Sequence, residues 1–386
     1  MSEWKECKIK DITSKITSGG TPKSSEAKFY DGNIPWLNTK EINFNRITKT
    51  ERCITEEGYN NSSAKWIPKG SVIVAMYGAT AAKVAYTQID LTTNQACCNL
   101  IIDDNKADSQ FVYYYIQSSY EELLNLACGA AQQNLSVGVI ADFPIFLPSL
   151  DEQKRIASIL SSLDDKIDLL NRENATLEAL AETLFRQWFI EEAKEDWEEG
   201  TISDLIDLNP TRRLAKDTIA PFLEMSNLST STYAPTYWYD RAFSSGTKFQ
   251  NGDTLLARIT PCLENGKTAY VDFLNEGQIG WGSTEFVVMC SKLGLHSFFS
   301  YIIAKYQDFR DYAESCMAGS SGRQRVDVDN LKNYPISIPD KAIINQFNTN
   351  IESFVSKMQI NNKQIRALKA QRDILLPKLM SNEIKF

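Results

Sequence analysis

A chain of 386 residues with 43% hydrophobic and 11% aromatic content can bury more than one core, which excludes a disordered polypeptide. No apolar run nears the roughly 20 residues that a membrane span needs, and Met1-Ser-Glu-Trp-Lys5 is no secretory signal, so a cytoplasmic protein without a membrane partner is expected. The net charge of −8 speaks against a nucleic-acid partner for the chain taken whole, and eight scattered cysteines with a single histidine, His296, leave no metal site, only reduced thiols and a structural imidazole.

In chain order, Ser71–Met76 and Ala96–Ile102 read as strands and Ser109–Ala127 as a tyrosine-rich helix. After Pro148 the pattern turns helical, with Asp151 placed as an acidic helix start. From Ile156 apolar residues recur at spacings of four and three: Leu160, Leu163, Ile167, Leu170, then Asn174, Leu177, Ala181, Leu184 and Trp188. Beyond it Thr254–Ala257 and Glu285–Met289 read as strands and Ser297–Glu314 as a helix. Pro339 and Asp340 then open a second heptad segment: Phe347, Ile351, Phe354, Met358, Asn361, Ile365, Leu368, Arg372, Leu375 and Leu379, with Pro377 expected to kink or end it.

Every residue of the second heptad series stands 191 positions after its counterpart in the first. The same offset places Phe143-Pro144-Ile145 beside Tyr334-Pro335-Ile336, and Trp4 matches Trp197 to within two residues. The chain is therefore a tandem duplication. The expected fold class is α+β: two domains, 1–149 and 197–339, each followed by a long helix, 150–196 and 340–386. The helices should pack as an antiparallel coiled coil through Leu160, Leu163, Ile167, Leu170 and Leu177 against Ile351, Phe354, Met358, Ile365 and Leu368. The first helical segment carries 12 acidic and 6 basic residues and the second 4 and 8, so their charges are complementary. Thirty-three helical residues, from Ile156 to Trp188, span about 50 Å, a rigid spacer.

The loops of both modules are small, polar and rich in glycine. The first offers Gly20, Thr21, Lys23, Thr80, Lys83, Asn94, Gln132, Gln133 and Asn134; the second offers Arg212, Arg213, Arg258, Thr260, Lys267, Ser283, Arg323, Gln324 and Arg325. Gln, Asn, Arg and Lys read base edges, while hydroxyls and glycine-loop amides suit phosphates. By composition alone the same loops are ordinary turns. Gln132-Gln133-Asn134 falls at the 191-residue offset from Arg323-Gln324-Arg325, so if they read bases the two half-sites differ.

No catalytic residue is expected. Asn209-Pro-Thr-Arg212 lacks the second proline and the aromatic of an adenine methyltransferase motif, and Gly266-Lys267-Thr268 has Pro261 where a phosphate loop needs glycine. Asp142 with Glu152 and Lys154, or Asp340 with Glu383 and Lys385, is too scattered for a magnesium nuclease. A coiled-coil assembly protein that reads no DNA is the alternative.

Several segments resemble the specificity subunits of type I restriction-modification systems: Leu256–Lys267, Gly280–Phe286, Gly319–Val326, Thr93–Cys98, Leu150–Ile156, and Ser18-Gly-Gly-Thr-Pro22 followed by Gly32–Trp36. The resemblance spans essentially the whole chain. It implies two target recognition domains, each reading one half of an asymmetric double-stranded DNA site, with the helices setting the gap. It also implies two modification (methyltransferase) subunits that bind S-adenosylmethionine and dock on the helices, and ATP- and Mg-dependent restriction subunits, with no cofactor on this chain. The second module departs from the family's opening, having Asn209-Pro-Thr-Arg212 in place of Gly-Gly-Thr-Pro.

Overall fold

Trp4 and Trp197 each introduce a two-stranded clasp. In the computed structural model, which describes residues 4–127, 134–292, 294–320 and 322–384, Lys5–Lys8 pairs antiparallel with Pro144–Leu147, and Glu198–Thr201 with Pro335–Ile338. Proline is tolerated because both members of a two-stranded ribbon are edge strands. Each clasp joins a module's entry to its exit just before a long helix, Leu150–Phe185 in the first copy and Lys341–Met380 in the second.

The chain forms two compact units, one of residues 1–165 with 368–386 and the other of residues 166–367. In the first, a five-stranded sheet runs in the order Thr13–Ser18, Cys97–Ile102, Val72–Ala75, Val84–Thr87, Asn45–Ile47. In the second, a four-stranded sheet runs Ile206–Leu208, Phe286–Ser291, Thr254–Ala257, Thr268–Tyr270. Each unit adds a further sheet containing one parallel pair: Tyr30–Leu37 with Thr92–Thr93, and Ile219–Leu223 with Gly280–Gly282. Sequence patterning missed these sheets because Gly32, Pro35, Pro221, Gly280 and Gly282 interrupt any regular alternation.

Strand alternation divides each module between two cores. Val72 and Val74 pack with the helix Ser109–Ser118, whereas Ile73 and Ala75 pack with Leu37 and Leu91. Both long helices contribute to each unit. Ile156 and Leu160 of the first and Leu376 and Leu379 of the second share a core with Phe111 and Tyr114. In the other unit Ala181 and Phe185 of the first, and Phe347, Ile351 and Met358 of the second, join Phe299 and Tyr301. Of the expected seam residues, Leu160, Ile167, Leu170, Ile351, Met358 and Ile365 are buried, and Leu163, Leu177, Phe354 and Leu368 half-buried.

Polar contacts connect the helices within each unit. Arg372 Nη1 donates to Asp164 Oδ1 at 2.9 Å, and Tyr114 OH donates to the other oxygen of Asp164 at 2.6 Å. Asn361 Nδ2 donates to Asn174 Oδ1 at 2.9 Å, and Lys357 lies 3.3 Å from Glu173. Tyr301 OH donates to Glu178 at 2.5 Å.

The first long helix is capped by Ser149, whose hydroxyl accepts from Glu152 N, and Asp151 lies in its first turn as expected. It ends at Phe185 and continues as a wider turn over Arg186–Glu191. The tyrosine-rich helix breaks at Ser119, and its counterpart breaks at Tyr306. Pro377 lies in the last turn of the second helix, which stops at Met380. His296 bonds Glu352 at 3.0 Å. The seven described cysteines are free thiols, and no helix among the described residues is long and apolar enough to cross a membrane.

Arg372→Met leaves the buried Asp164 carboxylate without its cation, and thermal unfolding should report a loss of about 3–5 kcal/mol, most of it recovered when Asp164→Asn is added. Burial pushes the Glu178 carboxyl up from its ordinary 4.5 to about 6, with Tyr301 and Lys305 pulling it back only in part. The folded state then binds that proton more tightly than the unfolded one, so its stability should rise as pH falls from about 6 towards 4.5. Glu178→Gln should flatten that segment of the stability–pH curve.

Candidate nucleic-acid interface

The main sheets determine where the loops go. In the first module Ser18 pairs with Cys98 and Ala75 with Cys97, so the chain leaving after Ser18, the turn after Ala75 and the turn before Cys97 meet at one sheet end. In the second, Leu208 pairs with Met289, Ala257 with Phe286 and Leu256 with Thr268, which gathers the segments around Asn209, Arg258, Glu285 and Lys267 likewise. A final segment joins each group, through an antiparallel bridge between Tyr77 and Asn134 in one module and between Ile259 and Arg325 in the other. Asn134 and Arg325 are the residues that the 191-residue offset superposes.

In the first module Gly20 is buried: its N–H donates to Thr93 O at 2.8 Å and its carbonyl accepts from Trp36 Nε1 at 2.9 Å. A Cβ on Gly20 would lie 2.3 Å from Ala64 N, so only glycine lets this turn lie flat. That contact presents Thr21, exposed and hydrogen-bonded to Gln95, and Lys23, which is exposed and 3.7 Å from Glu26. Asn94 is buried, its Oδ1 accepting from Ala96 N at 3.1 Å, and it shapes the turn. Thr80 O accepts from Lys83 N, and Lys83 Nζ donates to Asn43 at 2.8 Å. Asn134 is exposed, while Gln132 and Gln133 lie outside the described residues.

In the second module Arg212 is turned inward, with Nη2 2.6 Å from Asp253 Oδ1 and Nε 3.3 Å from Oδ2. Burial raises the Asp253 carboxyl above its ordinary value, against the pull of Arg212. Arg213 is exposed. Arg258 is half-buried and donates to Val326 O at 2.7 Å, Lys267 donates to Met225 O at 3.0 Å, and Ser283 Oγ accepts from Glu285 N at 3.1 Å. Thr260 N donates to Gln324 O at 3.1 Å. Arg325 is forked onto Glu285, and Arg323 is exposed. A polar cavity of about 400 Å³ opens between Asn209, Arg212, Lys248, Arg258 and Thr284.

The structure thus gathers Arg258, Thr260, Ser283, Gln324 and Arg325 tightly, and joins Thr21 to the Asn94 turn. Reading the sequence missed Lys248, Asp253 and Glu285. The last two are acidic partners 41 and 40 residues from the arginines they hold, a separation at which no local pattern announces them. Asp142, weighed as a nuclease ligand, pairs instead with Lys8 and Lys10, at 3.2 and 2.7 Å.

The profile of the type I restriction modification DNA specificity domain matches the chain twice, over residues 1–179 and 194–370. The type I restriction enzyme MjaIX specificity subunit of Methanocaldococcus jannaschii is 26% identical over 99% of this chain and 94% of its own length. The EcoR124I/EcoR124II specificity subunit of Escherichia coli is 30% identical over 38% of this chain and 37% of its own. Among solved structures, the type I restriction-modification S subunit from M. genitalium aligns over 98% of this chain and 96% of its own, with a TM-score of 0.55 at 17% identity, a likeness of fold.

Arg212→Met should act on stability, costing about 3–5 kcal/mol because Asp253 keeps a buried, unpaired charge. Denaturant unfolding measures this, and adding Asp253→Asn should restore most of it.

Proposed function

The chain belongs to the type I restriction-modification DNA specificity family, with two specificity domains in tandem that recognise DNA sequence; from this premise we propose that each domain reads one half of a bipartite, asymmetric double-stranded site. The domains are residues 1–149 and 197–339, each followed by a spacer helix, within 150–196 and 340–386. The observation that carries this reading is one loop scaffold built twice and furnished differently: Tyr77 bridges Asn134 in the first copy, Ile259 bridges Arg325 in the second. A shared scaffold gives both modules the same way of approaching a duplex, and unlike side chains give them unlike preferences.

The long helices, in this reading, pack as an antiparallel coiled coil that sets the spacer and docks two methyltransferase subunits. The opposed order of their contacts supports this: Asp164 meets Arg372, and Asn174, further along the first helix, meets Asn361, earlier in the second. Buried asparagines at seam positions disfavour other registers. This chain is non-catalytic and carries no cofactor; S-adenosylmethionine belongs to the modification subunits, and ATP and Mg to restriction subunits that join them. With a net charge of −8, the chain depends on those partners for part of the phosphate attraction. Thr21, Lys23, Asn134, Arg213 and Arg323 are the exposed loop residues offered to DNA.

Exchanging residues 1–149 for the equivalent module of a relative, in a host that also expresses the modification subunits, tests the reading. Sequencing of methylated DNA should show one half-site replaced and the other retained. Methylation without a defined sequence would mean that the chain only assembles partners.

A further inference from the structure

Arg323 and Arg325 stand two residues apart in one turn, yet their guanidinium groups are in opposite situations. Arg325 is committed: Nε and Nη2 donate to Glu285 Oε1 at 2.9 and 2.8 Å, and Nη1 lies 3.4 Å from Arg323 O. A guanidinium forked onto a carboxylate cannot offer that fork to a base. The backbone around it is fixed as well. Arg325–Val326 pairs with Met317–Ala318, Val326 N donates to Arg258 O at 2.9 Å, and Gln324 O accepts from Thr260 N. Arg323 has only its backbone tied, N–H to Ser320 O at 3.0 Å, next to Gly322 at φ +79°. Its side chain is exposed, and among the described residues its guanidinium makes no hydrogen bond or ion pair.

A two-stranded ribbon is narrow enough for the major groove, where guanine presents O6 and N7 as paired acceptors to an arginine fork. We propose that Arg323 selects a guanine in the half-site of the second module, with Arg325 as a positioning residue clamped to Glu285; this rests on the recognition function above. The first module has Asn134 where Arg325 stands, and no such clamp is present there among the described residues, so the assignment belongs to one half-site only. An exposed arginine also suits a phosphate, but a phosphate contact carries no base identity, and the two separate by substitution.

The test uses the full chain with its modification subunits, and reads the methylated motif from sequenced host DNA for the wild type and for Arg323→Gln, Arg323→Ala and Arg325→Gln. Glutamine is matched to adenine, so Arg323→Gln should change one fixed G·C pair of one half-site to A·T, with about a tenfold or greater loss of preference for guanine. Arg323→Ala should leave that position open to any base. Arg325→Gln should lower the extent of methylation and keep every base identity. An unchanged motif in both Arg323 variants assigns the residue to phosphate and overturns the proposal. So does a change at a position other than G·C, or a base change that follows Arg325 instead. A wild-type complex that methylates no defined sequence sinks the recognition reading and the guanine assignment together; a defined motif indifferent to Arg323 sinks only the latter.

Discussion

Asp164 is the residue on which the architecture turns. It lies in the first long helix, is 8% exposed, and accepts from Tyr114 of the first module's own helix and from Arg372 near the end of the second long helix. A buried carboxylate is tolerable only when its charge and lone pairs are met, so this one residue requires three segments to arrive together. The other unit contains a related device, with Tyr301 of its module helix bonded to Glu178 and Asn361 bonded to Asn174. Apolar heptads alone allow slippage by a turn or more; buried polar pairs penalise every register but one.

Once the helices are so held, duplication accounts for much of the rest. Each module is closed by a clasp whose second strand leads directly into a long helix, and each main sheet delivers its loops to one end. The scaffold can therefore stay constant while loop residues change, because Asn134 and Arg325 lie outside both main sheets. In the second module several cations are spent on the protein itself: Arg212 on Asp253, Arg325 on Glu285 and Lys267 on a backbone carbonyl. An arginine inventory therefore overstates the number of readers.

The repeat and both long helices are legible in the sequence because each has a strong periodic signal, and the four core strands because each is a short, largely apolar run. The run Thr254–Ala257 coincides with its strand to the residue, and the 191-residue offset alone matches Asn134 to Arg325. What escaped is non-local. The second sheet of each module is assembled from strands broken by Gly32, Pro35 and Gly280, and its parallel pairs join segments about 60 residues apart, such as Trp36 with Thr92. Likewise Arg212 looks like a reader in a polar loop, and only the fold reveals Asp253 beneath it. Short polar loops announce that they are loops; which of their side chains face inward is decided by residues far along the chain.

In the proposed reading the paired helices, held in one register, separate the two half-sites by a fixed distance. One heptad inserted into each helix adds about 10 Å of rise, equivalent to about three base pairs at 3.4 Å per pair along DNA. Mapping the methylated motif of the doubly lengthened chain in complex with its modification subunits measures this directly. The account predicts both half-sites unchanged and the spacer longer by about that amount; an unaltered spacer with both half-sites retained would contradict it.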